Sequence, residues 1–234
     1  MPTAAASFQG RPLQALLFDL DGTLLDTAGD IALALRRALA DCGLPAPDDA
    51  AVRRMIGRGA PMLVERALAA LGLAPDAAAQ SAIVESFFTH YGALQDNGEC
   101  AAQPYPGVVP GLQRLQQAGL PMAVVTNKQQ RFAQALLSRL GLAQHFDFIV
   151  GGDTCEHRKP DPQPLLWACA RLGVPAAQTL MVGDSINDVL AARAAGMAVV
   201  CVPYGYNEGR EASSLACDAL IESIDELSAL VWLQ

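Results

Sequence analysis

The sequence has 234 residues, of which 52% are hydrophobic and 17% charged, and its formal net charge is −8. This composition is typical of a folded protein with a sizeable core and excludes an intrinsically disordered chain. The acidic balance argues against a protein that binds nucleic acid through a basic groove. No uncharged apolar run is long enough to span a bilayer, so we expect no membrane partner.

The six cysteines are scattered through the chain and form no CxxC pair. Such spacing is typical of reduced thiols and predicts a cytoplasmic protein. Residues 1–13 lack the basic and apolar segments of a signal peptide, and we expect them to form a flexible leader.

The first predicted strand covers residues 14–22, and its uniformly apolar run suits a parallel sheet that is covered on both faces. No strand pattern appears between about residues 28 and 99. Helical periodicity dominates there instead, in three segments that span residues 30–43, 60–73 and 76–95.

After a glycine- and proline-rich linker at residues 98–111, short buried strands alternate with helical segments. This alternation predicts βαβ units with right-handed crossovers. We therefore predict an α/β fold with a Rossmann-like parallel sheet, built from residues 14–27 and 100–234. An α-helical cap, residues 28–99, is inserted after the first strand.

Polar residues follow the predicted strands at the edge where parallel sheets bind ligands. They are Asp19 and Asp21, then Thr126 and Asn127, then Lys159, and finally Asp184 and Asp188. Two carboxylates about 4 Å apart repel by about 4 kcal/mol at an effective dielectric constant near 20. A divalent cation and the lysine would balance this charge. Because the ligands are oxygen atoms without cysteine or histidine, Mg²⁺ is the expected cofactor.

Magnesium beside a lysine and a hydroxyl group indicates phosphoryl chemistry. The sequence contains neither a GxxxxGK[ST] loop nor a GxSxG elbow. A carboxylate is therefore the candidate nucleophile, which would form an aspartyl-phosphate. A pair of acids suits this reaction, because one attacks phosphorus while the other protonates the leaving oxygen and then activates water.

Four motifs resemble, in order, those of the haloacid dehalogenase-like phosphatases, and the resemblance covers nearly the whole chain. They are Asp19-Leu20-Asp21-Gly22-Thr23, Thr126-Asn127, Lys159 and Gly183-Asp184-Ser185-Ile186-Asn187-Asp188. In this family the dehalogenases proper lack the second aspartate of the first motif. Its presence as Asp21 therefore points to phosphotransfer.

The resemblance implies a catalytic role for each matching residue. Asp19 would be the nucleophile and Asp21 the acid and base. Thr126 and the backbone of Asn127 would hold phosphate oxygens, and Lys159 would pair with Asp19 and the phosphoryl group.

The resemblance also implies the metal ligands. Asp19 and Asp184 would bind Mg²⁺ directly, Asp21 would do so through its main-chain carbonyl, and Asp188 would act in the outer shell. The helical insert resembles the small cap of the family, which closes over small soluble substrates and excludes water.

Several stretches resemble bacterial phosphoglycolate phosphatases, among them FDLDGTLLDT, KPDPQPLL and VGDSINDVLAARAAGM. This resemblance predicts hydrolysis of 2-phosphoglycolate. In the cap, Arg58 stands between two glycines before a helix, and two interpretations stay open: it binds a second anion such as the substrate carboxylate, or it is a solvated arginine in a cap turn. We expect His157 and Arg158, by contrast, to be exposed loop residues.

Other substrates stay open at this point. Relatives with the same motifs act on N-acetylmuramic acid 6-phosphate, and β-phosphoglucomutases share the core and cap. A non-enzymatic protein on this fold would be expected to lack Asp19 or Lys159, and both are present. We expect a small phosphorylated metabolite as partner, and a monomer or homodimer.

Overall fold

The structure is a computed structural model that describes residues 6–74 and 76–232. Its strands are Ser7–Phe8 (β1), Arg11–Pro12 (β2), Ala15–Phe18 (β3), Leu25–Asp26 (β4), Gln103–Pro104 (β5), Met122–Val125 (β6), Phe148–Val150 (β7), Thr179–Gly183 (β8), Ala198–Cys201 (β9) and Ala219–Leu220 (β10). Its α-helices are Ala28–Asp41 (α1), Asp49–Met55 (α2), Ala60–Ala70 (α3), Ala77–Asp96 (α4), Val108–Gln117 (α5), Gln130–Arg139 (α6), Gln163–Leu172 (α7), Ile186–Ala194 (α8) and Ile224–Trp232 (α9).

A six-stranded parallel sheet in the order β10-β9-β8-β3-β6-β7 forms the centre of the molecule. Strand β3 is buried along its whole length, and its side chains alternate between two apolar layers. Leu16 and Phe18 pack with α5, α6 and α9, whereas Leu17 packs with α7 and α8. The predicted α/β fold with a parallel sheet is confirmed.

The insert between β4 and β5 contains, in its described residues, four helices, α1 to α4, with an apolar core of their own. No strand occurs in the described part of this insert. Helix α2 was not predicted, because its single buried residue, Val52, leaves no helical periodicity to read. The strands β4 and β5 pair where the chain leaves and re-enters the sheet domain. We retain residues 28–99 as the proposed extent of the cap.

Two segments differ from the sequence predictions. Residues 7–12 form a hairpin whose Phe8 is buried in the main core, so the expected leader does not extend over them. Residues 1–5 of that leader lie outside the described residues. The expected linker ends earlier than predicted, because α5 begins at Val108 and buries this residue, Leu112 and Leu115 against the sheet.

Candidate active site

Three carboxylates meet at the carboxyl edge of the sheet. Asp19 follows β3 and Asp184 follows β8, and these neighbouring strands pair Phe18 with Val182. Asp188 lies in the first turn of α8, which begins after Asp184. One oxygen from each of the three aspartates lies within 4.8 Å of the others. The parallel pairing of β3 and β8 is thus what places the predicted acids together.

Lys159 joins two of these carboxylates. Its Nζ lies 2.9 Å from Oδ1 of Asp19 and 2.6 Å from Oδ1 of Asp188, and its side chain is 2% exposed. The other oxygen of Asp188 accepts hydrogen bonds from the backbone N–H and the hydroxyl of Ser185, at 3.1 and 2.8 Å. Asp188 is therefore held in place by the start of α8, and it positions Lys159 against Asp19.

The cluster carries more negative than positive charge. Burial raises the pKa of Asp184 to about 8, and the Asp188 and Asp19 carboxylates add to the shift. Burial also raises the pKa of Asp19, to about 6, although Lys159 opposes this. Three carboxylates face one ammonium group, so a divalent cation would balance the excess charge. These oxygen donors are the ligands that Mg²⁺ prefers, and the site fits that ion.

Gly22 allows the loop after β3 to lie against Asp184. Its φ of +90° is readily accessible only to glycine, and a Cβ at this position would lie 2.5 Å from Oδ2 of Asp184. Thr23, the next residue, donates a hydrogen bond of 3.1 Å to Oδ1 of the same carboxylate. The DxDGT sequence therefore positions Asp184 as well as supplying its own two acids.

Asp21 does not belong to the three-carboxylate cluster. Its carboxylate accepts hydrogen bonds from Nζ of Lys128 at 2.9 and 3.1 Å and from the hydroxyl of Thr27 at 2.6 Å. Burial alone would lower the pKa of Lys128, but the Asp21 carboxylate raises it above its ordinary value. Asp21 thus has a lysine partner different from that of Asp19, although its carboxylate still adds to the raised pKa of Asp19.

Sequence reasoning missed Lys128, although a signal was present. The chain contains only two lysines, Lys128 and Lys159, and both have buried side chains at this site. All other positive side chains, apart from histidine, are arginines. Lys128 also follows directly after the predicted Thr126-Asn127 motif.

Thr126 and Asn127 lie at the end of β6, beside the acids, and both line the cavity described below. The Asn127 amide donates hydrogen bonds of 2.9 Å to the carbonyl oxygens of Lys159 and Gly57. Because Gly57 belongs to the helical insert, Asn127 links the two parts of the site.

A cavity of about 70 Å³ lies between the sheet edge and the insert. Asp19, Asp21 and Thr126 line it on the sheet side. Mostly apolar side chains line it on the opposite side, namely those of Ile31, Ile56, Leu63, Phe87, Phe88 and Tyr91. Arg158 also contributes to the lining.

The structure does not bring Arg58 to this cavity. Its Nε lies 3.0 Å from Oε1 of Glu208, a core carboxylate that also pairs with Arg66 at 3.0 Å. Burial alone would raise the pKa of Glu208, but the Arg66 and Arg58 guanidinium groups hold it below its usual range. Arg58 thus forms an ion pair between cap and core, and its contact with substrate stays a prediction. The expectation for Arg158 is also corrected, because it is half-buried and lines the cavity.

Known proteins share this fold and sequence. Residues 16–202 match the family described as haloacid dehalogenase-like hydrolase. The phosphoglycolate phosphatase of Thiobacillus denitrificans is 44% identical over 94% of this chain and 96% of its own length. A plasmid-encoded phosphoglycolate phosphatase of Cupriavidus necator is 46% identical, with 94% of each chain covered. A crystal structure from Haemophilus somnus, described as a predicted phosphoglycolate phosphatase, superposes with a TM-score of 0.86 at 32% identity, over 93% of this chain and 97% of that one.

The fold and the matched residues define the class, and this chain belongs to the haloacid dehalogenase-like hydrolase family. Within that family it is a phosphatase that is similar to the enzymes named phosphoglycolate phosphatase. Among the described residues, no helix combines the length and the apolar character that crossing a membrane requires.

Proposed function

We propose that this phosphatase is Mg²⁺-dependent, acts through an aspartyl-phosphate and hydrolyses 2-phosphoglycolate to glycolate and phosphate. The observation that carries the mechanism is the contrast between two neighbouring aspartates. Asp19 lies beside Lys159 and two further carboxylates, whereas Asp21 pairs with Lys128 outside that cluster.

Asp19 is the proposed nucleophile. Its carboxylate attacks phosphorus, a new bond forms between carboxylate oxygen and phosphorus, and the bond from phosphorus to the glycolate oxygen breaks. Lys159, 2.9 Å from Asp19, offsets the charge that gathers on the phosphoryl oxygens. Thr126 donates its hydroxyl to one of those oxygens.

Asp21 is the proposed acid and base. Its carboxylate is ionised beside Lys128 in the resting enzyme, so it takes up a proton from solvent before the attack. It transfers that proton to the departing glycolate oxygen and is ionised again. The carboxylate then accepts a proton from the water that attacks the phosphoenzyme, and this second step releases phosphate, frees Asp19 and leaves Asp21 protonated for the next turnover.

Asp19 and Asp184 would hold Mg²⁺ through their side chains, and Asp21 would contribute its main-chain carbonyl. The ion supplies positive charge for the phosphoryl oxygens when it is bound. Asp188 acts from the outer shell, since its carboxylate is occupied by Lys159 and Ser185.

Two observations support 2-phosphoglycolate as the substrate. The relatives that cover almost the whole chain at 44% and 46% identity carry the name phosphoglycolate phosphatase. The cavity of about 70 Å³ is far smaller than the 300–1,000 Å³ that drug-sized ligands occupy. A substrate with a leaving group of two carbons suits this space better than N-acetylmuramic acid 6-phosphate does.

A sugar phosphate is the second candidate. A structure of CbbY from Rhodobacter sphaeroides in complex with xylulose-(1,5)bisphosphate superposes with a TM-score of 0.78 at 26% identity, over 94% of this chain and 99% of that one. Its lower identity makes it a weaker guide to the substrate than the relatives above.

The proposal is tested by phosphate release with Mg²⁺ on 2-phosphoglycolate, N-acetylmuramic acid 6-phosphate, xylulose 1,5-bisphosphate and β-glucose 1-phosphate. We expect kcat/KM for 2-phosphoglycolate to lead by about a hundredfold, which corresponds to about 2.7 kcal/mol of transition-state discrimination. Equal values, or a sugar phosphate in the lead, would contradict the proposed substrate while leaving the phosphatase chemistry intact.

A further inference from the structure

We propose that Arg158 determines specificity by binding the carboxylate of the substrate. This inference rests on the proposed function, since it assigns a residue to the group that distinguishes 2-phosphoglycolate from other phosphate esters. Recognition of the substrate carboxylate is thereby assigned to a residue of the core instead of the cap residue Arg58.

The backbone holds the Arg158 guanidinium at the wall of the cavity. Nε of Arg158 donates a hydrogen bond of 2.6 Å to the carbonyl oxygen of Gly152, which orients the planar group. Nη1 lies close to Gly59, the residue that precedes α3, and a Cβ added to Gly59 would be 3.2 Å from it. Gly59 also lines the cavity. The guanidinium therefore lies between core and cap, where it can reach a small ligand from one side.

The charges around the cavity leave Arg158 available. Of the residues that the structure describes, two cations line this space, Lys128 and Arg158. Lys128 is paired with both oxygens of Asp21. Within the described part of the chain, Arg158 has no carboxylate within salt-bridge distance. It is thus the cation in the lining that retains unused donors for an incoming anion.

A carboxylate in this cavity needs such a partner. The cap side of the lining is mostly apolar, and an ionised carboxylate that loses water without gaining a charged partner is strongly disfavoured. Asp19 and Asp21 lie on the sheet side and would repel it. A guanidinium can form two parallel hydrogen bonds to a carboxylate, which provides both charge and orientation.

Arg58 is a poorer candidate on the same criteria. It is already paired with Glu208, and it does not line the cavity. The two arginines therefore give opposite expectations in one experiment. Substitution of Arg158 should change the substrate preference, and substitution of Arg58 should not.

The experiment compares two esters of equal length, 2-phosphoglycolate and 2-hydroxyethyl phosphate, in which a neutral hydroxymethyl group replaces the carboxylate. We measure kcat/KM for both with the wild-type enzyme, Arg158→Gln, Arg158→Lys and Arg58→Gln. The readout is the ratio of the two values, which is independent of the amount of active enzyme.

We expect the wild-type ratio to favour 2-phosphoglycolate and Arg158→Gln to lower it about 10- to 100-fold, as loss of a charge-assisted hydrogen bond predicts. Arg158→Lys should give an intermediate ratio, because it keeps the charge but not the planar pair of donors. Arg58→Gln should leave the ratio within about threefold of wild type.

Each other outcome has a distinct meaning. An unchanged ratio in both Arg158 variants, or a larger fall in Arg58→Gln, would overturn the assignment while the substrate stands. A wild-type ratio near one would instead refute the proposed substrate, and this inference with it.

Discussion

Replacing Lys128 with methionine should destabilise the folded protein by leaving the Asp21 carboxylate without its cation. The Lys128 and Asp21 side chains are 8% and 14% exposed, and their charged atoms lie 2.9 Å apart. At an effective dielectric constant near 20, this separation corresponds to about 6 kcal/mol of attraction, much of it offset by desolvation. Removing one partner of a buried pair costs about 3–5 kcal/mol. Because Thr27 still donates to Asp21, we expect about 3 kcal/mol.

Urea unfolding in metal-free buffer measures this loss as a change in the free energy of unfolding. The double variant Asp21→Asn/Lys128→Met should lose less stability than the two single variants together, with a coupling energy of about 2 kcal/mol. Arg36→Met is the matched control, since its ion pair with Asp49 is more than half exposed on both sides. We expect it to cost about 0.5 kcal/mol.

A coupling energy below about 0.5 kcal/mol in the Asp21 and Lys128 cycle would refute the reasoning. The reasoning would also be refuted if Lys128→Met lowered the free energy of unfolding by no more than Arg36→Met does. Either result would mean that solvent screens the pair as effectively as it screens exposed charges.

Three further predictions concern the acids. Asp19→Asn should abolish turnover while circular dichroism stays unchanged, and near-normal turnover would remove Asp19 as the nucleophile. Asp184→Asn should raise the Mg²⁺ concentration required for half-maximal activity, and an unaltered titration would exclude Asp184 as a ligand. The raised pKa values of Asp19, to about 6, and Asp184, to about 8, make the metal-free protein bind protons more tightly than its unfolded chain, where the ordinary value is 3.8. The melting temperature of the metal-free protein should therefore fall as pH rises from 4 to 8. Mg²⁺ should stabilise the protein more at pH 8 than at pH 5. A melting temperature that does not change with pH would contradict this prediction.

The sequence determined the core of the site because local pattern and sheet topology are sufficient for it. Each apolar run of four or five residues predicts a buried strand, and the polar residue after it must lie at the carboxyl edge of a parallel sheet. Asp19, Thr126 and Asp184 follow strands in this way, and the structure brings them together. Lys159 lies in a loop, but the order of the motifs assigned it to the same edge.

The tertiary structure alone decided which cations are engaged and which remain available. Lys128 meets Asp21 across 107 positions of sequence, and Arg58 meets Glu208 across 150. Arg158 and Lys159 are neighbours in sequence. Lys159 nevertheless pairs with buried acids, whereas Arg158 lines the cavity beside the cap. Such pairings depend on how the helical insert packs against the sheet edge. Local periodicity carries no information about that packing. A charged residue that forms an ion pair cannot be distinguished by sequence from one that does not, because its partner lies far away in the chain.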